Sequence, residues 1–398
     1  MITQLRLHNW KSFAEAKLYI DPMTFIIGTN ACGKSNVLDA MNFLKQMAMG
    51  RQLRDVVESI RGGADWITRD GCDDFSLSVT ISENKDVDYE YKIGVAKAAN
   101  GLVIKEEQLT RIRRKTNQLK QLFYTDTDRG NIDNPTIATH FYTGKRGRAK
   151  KLNLSRITSV LSQVEIISVL KDVKEAATLV RRYLSNIFIL NPIPENMRGY
   201  SRLDDKLKSD ASNIAGVLAV LEDSQKKEFE AKLTEYLRPL PEKDLRRVWA
   251  EKVGLFNGDA MLYCEEKWTD NSTLQLDARG MSDGTLRFIA IIVALLTGIP
   301  HSLLIIEEVD NGLHPSRAHE LIRVLKELGN ERSIDILCTT HNPALMDALG
   351  HKMMPFISYV KRDAETGTST IALLEDKENL AKLMAGHTIG DMMTKDLI

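Results

Sequence analysis

At the start of the chain apolar and polar residues alternate, Leu5 and Leu7 with Gln4, Arg6 and His8, and a second apolar stretch, Met23 to Ile27, ends at Gly28. Both read as strands, because strand side chains alternate faces and a short apolar run bounded by glycine has strand length. Beyond the glycine, Val37, Met41, Leu44 and Ala48 recur at helical spacing until Gly50, which reads as a stop. The opening is therefore strand, loop, helix. From Phe75 to about Ile112 short alternating stretches separated by polar turns predict an antiparallel meander. Between about 113 and 153 the chain turns polar and basic, with Arg113-Arg114-Lys115 and the run from Lys145 to Lys151, and predicts a solvated or mobile insertion.

Residues 154 to 240 read as mostly helical, with Ile157, Val160, Leu161 and Val164 on a helical period and a break at Asn191-Pro192-Ile193-Pro194. No heptad run is long enough for an extended coiled coil. Three apolar segments follow, Phe288 to Leu296, Leu303 to Ile306 and Ile334 to Cys338, and the last two predict buried parallel strands that end in polar residues.

The chain is 398 residues long, 43% apolar and 27% charged, which suits one large soluble domain with an insertion or two modest ones. Lys plus Arg equals Asp plus Glu at 54 each, so no global field draws it to nucleic acid or an anionic membrane. Neither a basic-then-apolar leader nor an apolar run near the ~20 residues of a spanning helix is present, so a cytoplasmic chain without membrane attachment is expected. Four cysteines, Cys32, Cys72, Cys264 and Cys338, are scattered singly and lack zinc or disulfide spacing.

Candidate chemistry begins at Gly28-Thr29-Asn30-Ala31-Cys32-Gly33-Lys34-Ser35. Glycines let the backbone curl and aim its N–H groups at phosphates, and the following helix adds its positive end. Lys34 is placed to neutralise the β- and γ-phosphates of ATP, and the Ser35 hydroxyl to reach Mg2+. Cys32 lies inside this loop, where oxidation would interfere with nucleotide binding. The apolar run Leu303 to Ile306 delivers Glu307 and Glu308, the first suited to Mg2+ through water and the second to orienting the attacking water. Ser282, in Gly280-Met281-Ser282-Asp283-Gly284-Thr285, reads in isolation as a helix N-cap. His341 ends the next apolar strand, a place from which it can touch a γ-phosphate.

Taken in order, these motifs resemble the ABC-type ATPase heads of the RecF and structural-maintenance-of-chromosomes class, and within it the stand-alone bacterial ATPases related to the overcoming-lysogenization-defect family. Leu5 to Phe13, the loop ending Gly33-Lys34-Ser35-Asn36, Asp210-Ala211-Ser212-Asn213, Met281 to Thr285, Glu307 to Pro315 and Thr340 to Pro343 occur in that family's order, while residues 113 to 200 match nothing. The resemblance implies an α/β fold, a P-loop head with a mixed central sheet, an antiparallel meander and a mostly helical insertion. It divides the chain into 1–112 and 251–398, two parts of the head, around an insertion at 113–250. It implies that Ser282 and Gly284 form the signature that completes the ATP site of a second subunit, that Glu308 is the catalytic carboxylate, Asp310 to Pro315 the D-loop and His341 the switch histidine. A homodimer, or a higher assembly, is thereby implied. Glu307 in place of aspartate, Val309 in place of proline and His314 in place of the D-loop aspartate depart from the general pattern, and no Q-loop glutamine is placed.

The function expected is an ATP-hydrolysing switch serving as sensor or scaffold for a separate, nuclease-like effector in anti-phage defence. Two alternatives stand beside it. One is a DNA repair or maintenance ATPase that contacts phosphates through 111–115 and 145–151. The other is a nucleotide-gated scaffold with little turnover.

Overall fold

The computed structural model describes residues 1–127, 132–145, 147–239, 245–269, 271–395 and 397, and the chain falls into two compact units. The first comprises residues 1–187 and 356–377, the second 188–355 and 378–398, so the divisions fall elsewhere than at the expected 112 and 250.

Eight strands of the first unit form one antiparallel sheet: β1 (Ile2–Trp10), β2 (Phe13–Tyr19), β4 (Asp74–Ser82), β5 (Val87–Ala98), β6 (Gly101–Arg113), β7 (Gln118–Thr125), β8 (Thr136–Tyr142) and β9 (Ala149–Ser155), in the order β2-β1-β4-β5-β6-β7-β8-β9. The meander expected from Phe75 is thus present, and it runs on through the stretch expected to be a solvated insertion. Phe123, Ile137, Phe141 and Leu154 turn inward and are buried, whereas Lys145, Lys150 and Lys151 face solvent. The cation runs at 113–115 and 145–151 beside it hid this apolar alternation. Between Leu109 and Thr110 the register with β7 shifts, so Leu122 is the extra residue and is buried beside Phe123.

The intervening strand β3 (Met23–Ile27) belongs to a second layer of this unit, where it pairs in parallel with β17 (Ile357–Arg362), itself antiparallel to β18 (Ser369–Leu373). Trp10, Phe43 and Phe75 meet edge to face with centroids 5.0–5.7 Å apart, tying β1 and β4 to the helix Lys34–Ala48. Past β9 the helical expectation holds only in part. Ile157 is 54% exposed and the helix spans only Val160–Gln163, before a longer amphipathic helix at Lys171–Ser185.

In the second unit β10 (Phe188–Leu190), β15 (Leu303–Ile306) and β16 (Asp335–Thr340) form the expected parallel ladder. All four residues of β15 are buried, and β16 buries all but its first, as strands covered on both faces must be. An antiparallel group joins β11 (Ser201–Arg202), β12 (Leu245–Val253), β13 (Asp259–Thr269) and β14 (Ser272–Asp277). The segment Phe288 to Leu296 lies in the helix Asp283–Thr297, buried along its whole apolar length. No described helix is long and apolar enough to cross a membrane.

Candidate functional site

The phosphate loop leaves β3 at Gly28 and enters the helix at Lys34, with Ala31 at φ 62° and Gly33 at φ 117°. Left-handed residues so spaced turn backbone N–H groups toward one concavity, the geometry that holds an anion. Space enforces the glycines as much as conformation does. A Cβ on Gly28 would lie 2.5 Å from the Val360 carbonyl oxygen, and one on Gly33 would lie 2.9 Å from Ser369 Oγ and 3.0 Å from Ser12 Oγ. Lys34 is buried, and its ammonium donates to the carbonyl oxygens of Gly28 at 2.7 Å and Thr29 at 2.8 Å, which bends the side chain back over the loop. Phosphate oxygens compete well for such a donor, because a charged acceptor outbids a neutral carbonyl.

Residues outside the motif brace this loop, and sequence reasoning missed them. Ser369 Oγ donates to the Cys32 carbonyl at 2.6 Å and lies 2.8 Å from Ser12 Oγ, which in turn accepts from Asn36 Nδ2 at 2.9 Å. Trp10 Nε1 donates to the Asn36 carbonyl at 2.7 Å, and Lys11 pairs with the buried Asp39 at 2.5 Å. The Trp10-Lys11-Ser12-Phe13 segment, the end of the Leu5 to Phe13 motif, is therefore the turn on which the loop and its helix rest. Ser369 carried no local signal.

The second unit holds the acidic strand end. Glu308 follows β15 in the left-handed region at φ 47°, a conformation that costs a residue with a Cβ roughly 1–2 kcal/mol. It is held there by its N–H, which donates to Thr339 Oγ1 at 2.9 Å, and by Val309 N–H, which donates to the Thr339 carbonyl at 3.0 Å. Its carboxylate accepts from Asn311 Nδ2 at 3.3 Å and stands 3.7 Å from His341 Nδ1. Thus two of the expected site residues, Glu308 and His341, meet across the ends of adjacent strands, both about 40% exposed. Glu307 is anchored through its N–H to the Leu190 carbonyl at 3.2 Å. Burial first, then the charge of Asp310, pushes the Cys338 thiol well above its ordinary value, so this cysteine is a packing residue.

Ser282 caps the helix Asp283–Thr297, its Oγ accepting from Thr285 N–H at 3.1 Å. A Cβ on Gly284 would come within 2.7 Å of the Gly312 carbonyl oxygen, so the serine turn and the loop after Glu308 are packed backbone to backbone. The Ser35 hydroxyl, in the first unit, and the Glu307 carboxylate, in the second, are each hard oxygens of the kind that Mg2+ takes. Among the described residues no group of three His, Cys, Asp or Glu side chains forms a cation cage.

Of the basic stretches considered for DNA, 111–115 is largely neutralised on the spot, and in 145–151 Lys151 meets an acid. Arg111 forks onto Asp172 at 2.7 and 2.8 Å, Arg114 pairs with Asp88 at 2.7 Å, Lys115 with Asp86 at 2.9 Å and Lys151 with Asp126 at 3.1 Å. Arg113, Lys145 and Arg148 are exposed, and Arg146 lies outside the described residues.

A phosphate loop braced on an antiparallel sheet, together with an acid-tipped parallel strand and a capped serine-glycine turn, defines the ABC-type P-loop ATPase head. Residues 23–347 match the family described as "AAA domain, putative AbiEii toxin, Type IV TA system", and the chain belongs to that family. No curated protein matches it. Among solved structures it is similar to an Smc head bound to the C-winged helix domain of ScpA, at 14% identity and TM-score 0.51 over 93% of this chain and 96% of that one. It is also similar to the SMC head domain from Thermotoga maritima, at 14% identity and TM-score 0.43 over 94% and 98% of the two chains. A third match, at 14% identity and TM-score 0.49 over 96% and 99%, is an Smc head with an extended coiled coil bound to the C-terminal domain of ScpA derived from Pyrococcus furiosus. The first of these shows the fold, that of an Smc head.

Proposed function

We propose that this protein is an ATP-hydrolysing switch in which two copies close on ATP and part after hydrolysis. The observation that carries the reading is the pairing of Glu308 with His341 at 3.7 Å in a chain that also presents a complete phosphate loop. In this reading the N–H groups of residues 29–35 and the Lys34 ammonium take the phosphates. Ser35 and, through water, Glu307 would hold Mg2+, which would supply charge neutralisation for the phosphates. Glu308 orients the attacking water and accepts its proton, and His341 donates toward the transferred group. Ser282 and Gly284 bind the γ-phosphate of the partner copy, so each site is complete only in a dimer.

Binding energy used to join subunits is released on hydrolysis, which makes the chain a timer for whatever it carries. The family description, with its toxin and Type IV toxin–antitoxin system, supports a defence role with a separate effector protein. Turnover and solution mass test the proposal together. The native chain should hydrolyse ATP, and Glu308→Gln should bind ATP, lose turnover by roughly 100-fold or more and accumulate as an ATP-dependent dimer. No turnover and no change of mass in either protein would leave a nucleotide-gated scaffold without this chemistry.

A further inference from the structure

The segment Asp210-Ala211-Ser212-Asn213 has no part in the chemistry above, and neither has Arg198. The structure joins them, and both lie in the second unit together with the signature turn. Arg198 Nη1 donates to three carbonyl oxygens, Ala278 at 3.1 Å, Arg279 at 3.1 Å and Met281 at 2.7 Å, and its Nη2 donates to the Asp283 carboxylate. These acceptors enclose Ser282, whose Oγ and N–H stand at the start of the signature helix. Three carbonyl dipoles converging on one point repel one another unless a cation sits among them, and the planar guanidinium is the side chain that can also reach the carboxylate.

Arg198 is itself fixed. It ends the short helix Pro194–Met197, and the 209–216 segment grips the chain on either side of it. Asn191 N–H donates to the Ser209 carbonyl at 2.8 Å, Ile193 N–H to the Asp210 carbonyl at 3.0 Å and Asn196 Nδ2 to Asp210 Oδ2 at 3.1 Å. Beyond it, Ser201 Oγ accepts from Gly216 N–H at 2.9 Å, and a Cβ on Gly216 would fall 1.9 Å from the Arg202 carbonyl oxygen.

We infer that Arg198 is the positioning residue of the signature motif, and that the 209–216 segment is the clamp that holds it. Two consequences follow from charge and geometry. The turn 278–283 keeps the shape that presents Ser282. The carboxylate of Asp283, first residue of a helix whose N-terminus is to receive a phosphate, is neutralised, and the positive end of the helix is left to act on the anion. The second consequence rests on the two-copy reading proposed above, and the first does not.

The test uses the full chain with Arg198→Ala, alone and combined with Glu308→Gln. Without nucleotide, hydrogen exchange of the amides in 278–285 should accelerate while the phosphate-loop segment is unchanged. Unchanged exchange at 278–285 overturns the inference. With a fluorescent ATP analogue the affinity of Arg198→Ala should match that of the native chain, since the phosphate loop is intact. Turnover should fall by roughly 10- to 100-fold, the loss expected when a group in the transition state is misplaced by about 1 Å. The ATP-dependent dimer of Glu308→Gln should also disappear when Arg198→Ala is added. Accelerated exchange with turnover and dimer intact would remove Arg198 from ATP chemistry and overturn the inference at that step. Accelerated exchange in a background where Glu308→Gln itself never dimerises would uphold the positioning role and sink the two-copy reading instead. Should Arg198→Ala fail to fold, Arg198→Lys, which keeps the charge and loses the fork, carries the same measurements.

Discussion

Single residues set the tolerances of this site. At Gly33 the backbone is left-handed and its missing Cβ leaves room for two serine hydroxyls, so Gly33→Ala should both strain the turn and push Ser12 and Ser369 aside. A loss of roughly 1–3 kcal/mol by denaturant unfolding is expected, with ATP affinity reduced at least tenfold by equilibrium binding. Glu107 shows the same sensitivity in electrostatic form. Its carboxyl is buried, accepting from Val160 N–H at 2.6 Å, Leu161 N–H at 2.8 Å and Tyr91 Oη at 2.9 Å. Burial outweighs those three donors and raises it from the ordinary 4.5 to about 7. In the unfolded chain the group loses its proton first, so between about pH 4.5 and 7 the folded state holds more protons and stability falls as pH rises. Chemical denaturation at several pH values should show that slope in the native chain, and Glu107→Gln should flatten it whatever its own stability.

Among the elements, strand ends and helix starts carry the chemistry, and this explains what could be read in advance. The phosphate loop, the acidic end of β15 and the Ser282 cap are local patterns, each written within a dozen residues and each found where its pattern placed it. Strands β7 to β9 were not legible, because the basic runs at 113–115 and 145–151 beside them outweighed the sparse apolar alternation of Phe123, Ile137, Phe141 and Leu154. Arg198 and Ser369 escaped for a different reason, since their partners are distant in sequence and a lone arginine or serine has no period. Because β8 buries Phe141 in the core, Phe141→Ala should cost about 3–5 kcal/mol, measurable as a drop in the urea midpoint at constant slope. A mobile surface segment would lose less than about 0.5 kcal/mol. At the end of β16, Thr339→Val should remove the hydroxyl that holds Glu308 in its left-handed turn, lowering kcat with little change in ATP affinity.

For the whole molecule, the feature that matters most is that each compact unit is discontinuous in sequence. The first closes only when residues 356–377 add β17 and β18 beside β3, and Ser369, on β18, is 337 residues from the Cys32 carbonyl it supports. A chain truncated after residue 355 should therefore be poorly soluble or fail to bind ATP, although its phosphate loop is intact in sequence; gel filtration and nucleotide binding would show this. On the ribosome the same arrangement becomes a delay. At about 5–20 residues per second, the cradle made early in translation waits roughly 20–70 s for its last support to emerge. On the ATP-binding reading proposed above, a nascent chain would thereby be kept from engaging nucleotide until most of the protein that will answer to it exists.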